Sequence, residues 1–276
     1  MLTILATEPL LSPLQAAVLG AVQGLSELLP ISSSAHLYLV PTLLGWPYAG
    51  VAFDVAMHAG TLLALLVAFL DDWLKLARGV FARDPAERDE SRQLFGMIVA
   101  ATVPALIAGK VIGELEDKLR SVPLQATMLL VFGILLWLAD RFTRGNRDGR
   151  LPGWGTALFM GFAQCLALVP GVSRSGVTMT AGRTAGLSRL AAARFSFMIS
   201  LPITLAAVLY TGLLKSRNLF AEVPVGTLLI GVTSSAVFGF LAIRFMLGLL
   251  RRTGFGVFAA YRTLLALGLF IWAARH

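Results

Sequence analysis

Six apolar stretches, most of them close to twenty residues long, constrain this chain more than any other feature. They are Val51–Leu70, Leu94–Ile112, Leu124–Ala139, Ala192–Leu214, Gly226–Leu247 and Gly256–Ala273. About 20 apolar residues in a helix cross the hydrocarbon core of a bilayer. A chain in lipid must also satisfy its own backbone polar groups, so runs of this length and composition predict helices. Leu124–Ala139 is short and is expected to borrow from its flanks. The sequence therefore predicts an all-α integral membrane protein, residues 1–276 forming one polytopic domain. Composition excludes a soluble domain. The 276 residues are 57% hydrophobic and 14% charged, with mean hydropathy +0.79, against roughly 45–50% and about 25% in soluble proteins.

The formal net charge of +8 points, in such a chain, to cytoplasmic loops and lipid headgroups rather than to nucleic acid. Membrane lipids are thus expected partners and nucleic acid is not. Cys165 is the single cysteine, so no intrachain disulfide is possible. The first basic residue is Lys75. The N-terminus therefore lacks the positive region of a secretory signal, and insertion through the chain's own spans is expected.

Two further apolar runs are too short to span comfortably. Leu14–Leu29 stops at Pro30 and three serines, and Thr156–Val169 stops at "PGVSRSG". Each is followed by polar residues and a second short apolar piece, the pattern of a re-entrant helix–loop–helix hairpin. The two also resemble each other. "GAVQGLSELLPISSS" (Gly20–Ser34) aligns with "GFAQCLALVPGVSRS" (Gly161–Ser175), with Gly, Gln and Leu in register. Downstream, "FDVAMHAGTLLA" from Phe53 lies opposite "FSFMISLPITLA" from Phe195 at nearly the same offset. Matches of Gly, Leu and Ser arise easily in apolar sequence, but the joint pattern predicts two repeats, about 10–140 and 152–276. Each repeat would hold one hairpin and three spans. Three is odd, so the second half would enter from the opposite face as an inverted repeat, with a site where the broken helices meet.

Basic residues set the orientation. Lys75, Arg78, Arg83, Arg88 and Arg92 share a side with Arg141, Arg144, Arg147, Arg150, Arg251 and Arg252. The other side has Lys118, Arg120, Lys215 and Arg217. Both termini are then expected outside the cytoplasm.

Ionisable groups at membrane depth are costly and mark function by default. The first hairpin supplies Gln23, Glu27, Ser32, Ser33, Ser34 and His36. Gln23 and Glu27 are four apart and share a helix face. A carboxylate beside an amide oxygen suits a hard divalent ion such as magnesium, completed by water and phosphate. The alternative is a protonated Glu27 hydrogen-bonded inside the bundle. The second hairpin supplies Gly171, Ser173, Arg174, Ser175 and Gly176. Arginine matches two phosphate oxygens at once, and helix starts near Ser175 and at "SSSAH" would add N–H groups to an anion site. Serine is equally an ordinary N-cap. A serine with a histidine three residues later could act as nucleophile and acid/base, or the histidine could take the phosphoryl group itself. Standing alone, His36 would be read as a satisfied interior histidine. Asp54 and His58, another i, i+4 pair, would support the site as a second layer or, more simply, satisfy each other. Arg183, Arg189 and Arg194 are expected at the interface, where arginines snorkel to headgroups.

"GAVQGLSELLPISSSAHL" and "PGVSRSG", with "FDVAMHAGTLLA" and "RFSFMISLPI", resemble the bacterial undecaprenyl-pyrophosphate phosphatase family over essentially the whole chain. The resemblance implies a hydrolase of the bacterial inner membrane that releases phosphate from undecaprenyl diphosphate. Such an enzyme recycles the lipid carrier of cell-wall peptidoglycan synthesis and confers bacitracin resistance. It implies Gln23 and Glu27 as the glutamate-rich motif and as metal ligands for magnesium or calcium. Ser32, Ser33, Ser34 and His36 fall on the serine-rich stretch, and Ser173, Arg174 and Ser175 on the arginine motif. Gln23 stands where some members have an acid, Ala35 where glycine is common and Ser34 where threonine is common. None of these changes removes an essential chemical type, so an active enzyme is expected.

On this basis Glu27, Ser33, His36 and Arg174 are the catalytic candidates, with Ser33 preferred as nucleophile and His36 as acid/base or alternative nucleophile. Ser32, Ser34, Gly171, Ser173, Ser175 and Gly176 are the substrate-binding candidates, in a site open to the outer side. A homodimer is one possible assembly. The competing class is a transporter or flippase for an anionic small molecule or lipid phosphate, since inverted repeats with broken helices are typical of transporters.

Overall fold

The computed structural model describes residues 11–112, 119–143, 145, 152–214 and 223–275. The basic residues Lys118, Arg144, Arg147, Arg150, Lys215 and Arg217 lie outside the described residues. Among the described residues there are eleven α-helices and no strand. They are α1 (Pro13–Leu28), α2 (Ser33–Leu44), α3 (Gly50–Ala68), α4 (Leu70–Gly79), α5 (Pro85–Ile112), α6 (Val122–Phe142), α7 (Trp154–Cys165), α8 (Arg174–Thr184), α9 (Arg189–Leu214), α10 (Val225–Leu250) and α11 (Gly256–Ala273).

Five helices are long and apolar enough to cross a membrane, namely α5, α6, α9, α10 and α11. The sixth predicted span corresponds to α3, which bends by 68° into α4. The bend falls at Phe69, and α4 carries Asp71 and Asp72 in its first turn and Arg78 in its last, the polarity that suits a helix dipole. Leu124–Ala139 does borrow from its flanks: α6 has 21 residues. The chain is a multi-pass membrane protein.

Both shorter runs are helices that stop where the sequence predicts. α1 starts with a capping box between Ser12 and Gln15 and has Pro13 in its first turn. It ends because the residue before a proline is pushed out of helical geometry: Leu29, before Pro30, is extended at φ −77°, ψ 146°. α7 ends in a single 3₁₀ turn, Leu166–Leu168, and Val169, before Pro170, is extended at φ −84°, ψ 120°. After each break the chain turns through a serine of positive φ, Ser32 at 76° and Ser173 at 73°. These are the two non-glycine residues with positive φ among the described residues, and they occupy the same place in the alignment of the two runs.

α1 packs along α10 and α7 along α5, each contact made close by glycine. A Cβ on Gly20 would overlap the carbonyl oxygen of Gly231, and one on Gly161 would overlap the backbone of Ala101. α3 lies against α10 and α9, α9 against α5, and α6 pairs with α11. An apolar cluster around Leu28, Leu65, Phe69, Phe197 and Ile243 fills the space between these helices on one side of the first break.

Gly20→Leu and Gly161→Leu should each lower the detergent-solubilised melting temperature, by an overpacking cost of roughly 1–3 kcal/mol or more. Gly226→Leu, where an added Cβ meets nothing within 4 Å, should leave it unchanged. Thermal unfolding of the three variants checks this.

Candidate functional site

The two breaks face each other, and their polar side chains meet at Glu27 in the last turn of α1. Its residue is 6% exposed. One carboxylate oxygen, Oε1, accepts from Nη2 of Arg174, the first residue of α8. The other, Oε2, accepts from the Ser33 hydroxyl at the start of α2, from Gln23 Nε2 at 3.2 Å and from His58 Nε2 at 3.2 Å. Arg174 is held in turn by Thr204 Oγ1 at 2.6 Å and the Ser200 carbonyl at 3.3 Å, both through Nη1.

Each break repeats one local device. The hydroxyls of Ser32 and Ser34 lie 3.3 Å apart, and those of Ser173 and Ser175 lie 3.2 Å apart. Ser173 Oγ also caps α8 by accepting from Gly176 N at 3.1 Å. Ser175 ties the breaks together, donating to the Leu29 carbonyl at 3.0 Å. The first-turn N–H groups of α2 and α8 have no intrahelical acceptor, so both helices present donors and a positive dipole end at the breaks. A carboxylate, a hydroxyl, a guanidinium and two helix N-termini in one place can deprotonate an alcohol and bind a phosphate.

The family model described as "Bacitracin resistance protein BacA" matches residues 16–268. The chain belongs to the BacA family. The chain is 46% identical over 256 residues to the undecaprenyl-diphosphatase of Geotalea daltonii, covering 90% of this chain and 93% of that one. It is 48% identical to the Gemmatimonas aurantiaca undecaprenyl-diphosphatase, covering 93% and 96%, and 44% identical to that of Alcanivorax borkumensis, covering 94% and 98%.

With this BacA-family chain the sequence-predicted residues divide in two. Gln23, Glu27, Ser33 and Arg174 form the centre, with Ser32, Ser34, Ser173, Ser175 and Gly176 lining the two helix starts. Gly171 takes φ +96° in the second break and packs on the backbone of Gln125. His36 does not reach Glu27. Its Nδ1 donates to the Ser32 carbonyl at 2.7 Å, its Nε2 accepts from Tyr261 OH at 2.7 Å, and its ring stacks on Tyr261 at 5.7 Å.

The simpler reading of Asp54 and His58, that they satisfy each other, is corrected. The Asp54 carboxylate takes Arg120 Nη1 at 2.7 Å and Tyr48 OH at 2.8 Å. His58 Nδ1 donates instead to the Asp54 carbonyl at 2.8 Å, which aims Nε2 at Glu27. Both ring nitrogens of His58 thus face oxygen atoms. Arg183 is corrected too: it is 4% exposed and bonds Asp140 and the carbonyls of Leu187 and Thr143. Arg189 is partly exposed and shares Asp140 with it, while Arg194 is exposed.

Sequence reasoning missed Ser200, Thr204, Tyr261 and Arg262. Only Arg262 carried a signal, an arginine in the middle of the last apolar run. It is fully buried, and it donates to Pro30 O at 3.1 Å in the first break and to Gly171 O and Val172 O, each at 3.0 Å, in the second.

Among the described residues no three His, Cys, Asp or Glu side chains are grouped to hold a metal ion. Gln23 Oε1, however, is buried without a hydrogen-bond partner beside the Glu27 carboxylate. One carboxylate and one free amide oxygen fit magnesium or calcium completed by water and substrate phosphate.

Removing the shared acceptor should leave the Arg174 and His58 side chains beside no anion. Glu27→Ala is expected to cost roughly 3–5 kcal/mol, and Glu27→Ala/Arg174→Ala clearly less than the sum of the single variants. A double-mutant cycle on thermal or denaturant unfolding measures the coupling.

Proposed function

We propose that this chain hydrolyses undecaprenyl diphosphate to undecaprenyl phosphate and inorganic phosphate, recycling the lipid carrier and conferring bacitracin resistance. The observation that carries the reading is Ser33 hydrogen-bonded to a carboxylate that also holds Arg174 from the other break, in a BacA-family chain whose relatives are undecaprenyl-diphosphatases.

In this mechanism Glu27 takes the Ser33 proton as Ser33 Oγ attacks the terminal phosphorus. The anhydride P–O bond breaks and undecaprenyl phosphate leaves. Arg174 and the N–H groups opening α2 and α8 bind the equatorial oxygens where charge develops. Glu27 gives the proton it took from Ser33 to the departing undecaprenyl phosphate oxygen and then takes one from the water that attacks the Ser33 phosphoester; the Ser33 O–P bond breaks, Glu27 returns that proton to Ser33 Oγ and phosphate leaves. His58 and Gln23 hold the Glu27 carboxylate toward Ser33. Gln23 Oε1 and Glu27 would hold a magnesium or calcium ion, which would shield the diphosphate charge when bound.

Both hairpins are re-entrant in this reading, and the halves form an inverted repeat. The support is local and global: matched positive-φ serines, matched glycine contacts, and pairings of α1 with α10 and α3 with α10 that mirror those of α7 with α5 and α9 with α5. Basic residues around α4 and the start of α5, with Arg141, Arg251 and Arg252, favour placing that side in the bacterial cytoplasm. The site then opens outward, where the termini lie.

Purified protein in detergent should release phosphate from undecaprenyl diphosphate, stop with chelator and recover with magnesium or calcium. Glu27→Ala and Arg174→Ala should each lower the rate roughly 10²–10³-fold or more. Label from the terminal phosphate should be trapped on Ser33; label on His36 would move the nucleophile. Absence of release by the wild type would favour transport, and release surviving both variants would remove the site assignment.

A further inference from the structure

Among the described residues, Arg262 is a cation with no ion-pair partner. Its five contacts are all to carbonyl oxygens: Nε to Leu129 at 3.1 Å, Nη1 to Pro30 at 3.1 Å, and Nη2 to Met128, Gly171 and Val172 at 3.2, 3.0 and 3.0 Å. No carboxylate lies within ion-pair distance of it among the described residues. The other inward-facing arginines differ: Arg120 meets Asp54, Arg183 meets Asp140 and Arg174 meets Glu27. Carbonyls satisfy the donors of a guanidinium but do not neutralise it, and a buried charge left uncompensated is costly.

Its position gives that charge a use. The Pro30, Gly171 and Val172 carbonyls belong to the two breaks, just before the helix starts at Ser33 and Arg174. A Cβ on Gly176, in the first turn of α8, would meet Arg262 Nη1 at 2.9 Å. The guanidinium therefore sits behind the same helix N-termini that face the site. Arg174 and His58 meet Glu27 directly, two positive dipole ends face it, and Arg262 adds its charge from behind the helix starts. Such a site lacks negative charge until a polyanion enters.

We propose that the counter-ion of Arg262 is the diphosphate of the bound substrate, so that Arg262 is a positioning residue that sets preference for diphosphate over monophosphate without touching either. This rests on the phosphatase reading. The field of a fixed charge acts more strongly on the more highly charged ligand, so the device holds substrate and releases the undecaprenyl phosphate product.

The test uses inorganic diphosphate and inorganic phosphate as competing ligands on the wild type, Arg262→Gln and Arg262→Lys. Wild type should bind diphosphate more tightly. Arg262→Gln should lose roughly tenfold or more in diphosphate affinity and much less in phosphate affinity, so the ratio collapses. Arg262→Lys keeps the charge but not the fork; it should melt lower yet retain most of the ratio. Equal losses for both anions in Arg262→Gln, or a Lys variant with the ratio of the Gln variant, would reduce Arg262 to a mechanical clamp and overturn the proposal. Should Arg262→Gln fail to fold, the Lys variant decides alone, since a clamp role predicts that it loses the ratio. Wild type that binds neither anion would instead overturn the phosphatase reading.

Discussion

Backbone that leaves helical geometry inside an apolar bundle must find its hydrogen-bond partners within the protein. Everything else in this structure depends on how that is done at two breaks. The Leu29 carbonyl accepts from Ser175, the Ser32 carbonyl from His36, and those of Pro30, Gly171 and Val172 from Arg262. With these oxygens held, Ser32 and Ser173 can keep positive φ, a conformation that costs of order 1–3 kcal/mol in a non-glycine residue. What the strain achieves is orientation. Two helices begin beside each other, with their free N–H ends directed at one place.

Among the described residues three buried carboxylates organise the charged interior, and their surroundings differ. Asp140 binds Arg183, Arg189 and the Phe255 amide, joining α6, α8, α9 and the start of α11. Asp54 binds Arg120 and Tyr48. Both are saturated by cations and structural donors. Glu27 alone also holds an aliphatic hydroxyl, Ser33, and does so in company with an arginine from the other break. Neither break holds the whole cluster by itself, because the carboxylate and hydroxyl come from one and the guanidinium from the other.

How much of this was legible follows from which interactions are local. The spans were readable because lipid demands continuous apolar runs, and the breaks because Pro30 and Pro170 act on their own neighbours. Most of the polar centre was readable because ionisable residues are rare in such a chain. Contacts set by tertiary packing were not. Asp54 and His58 look like mutual partners at i, i+4, but His58 spends Nδ1 on the backbone carbonyl one turn back, and its other nitrogen finds a helix thirty residues away in sequence. The partner of His36 was equally hidden: the helical turn that places Ser33 on Glu27 carries His36 round to Tyr261. Arg183 was expected at the interface because sequence cannot show that Asp140 waits for it inside.

The alignment of the two breaks explains how matched halves yield one directional site. Ser32 aligns with Ser173 and Ser34 with Ser175, and each pair keeps the same backbone and the same hydroxyl contact. Between them, the first residue of the following helix differs: Ser33 in one half, Arg174 in the other. The position is equivalent, so both side chains arrive at Glu27, one on each carboxylate oxygen. His36 is held by Tyr261 and the Ser32 carbonyl, whereas Ser33 donates to the Glu27 carboxylate. In the proposed mechanism, two breaks of matching geometry thus separate attack from charge stabilisation by a single difference at one helix start, and Glu27, which has no acidic counterpart where Leu168 aligns with it, would set which break supplies the nucleophile.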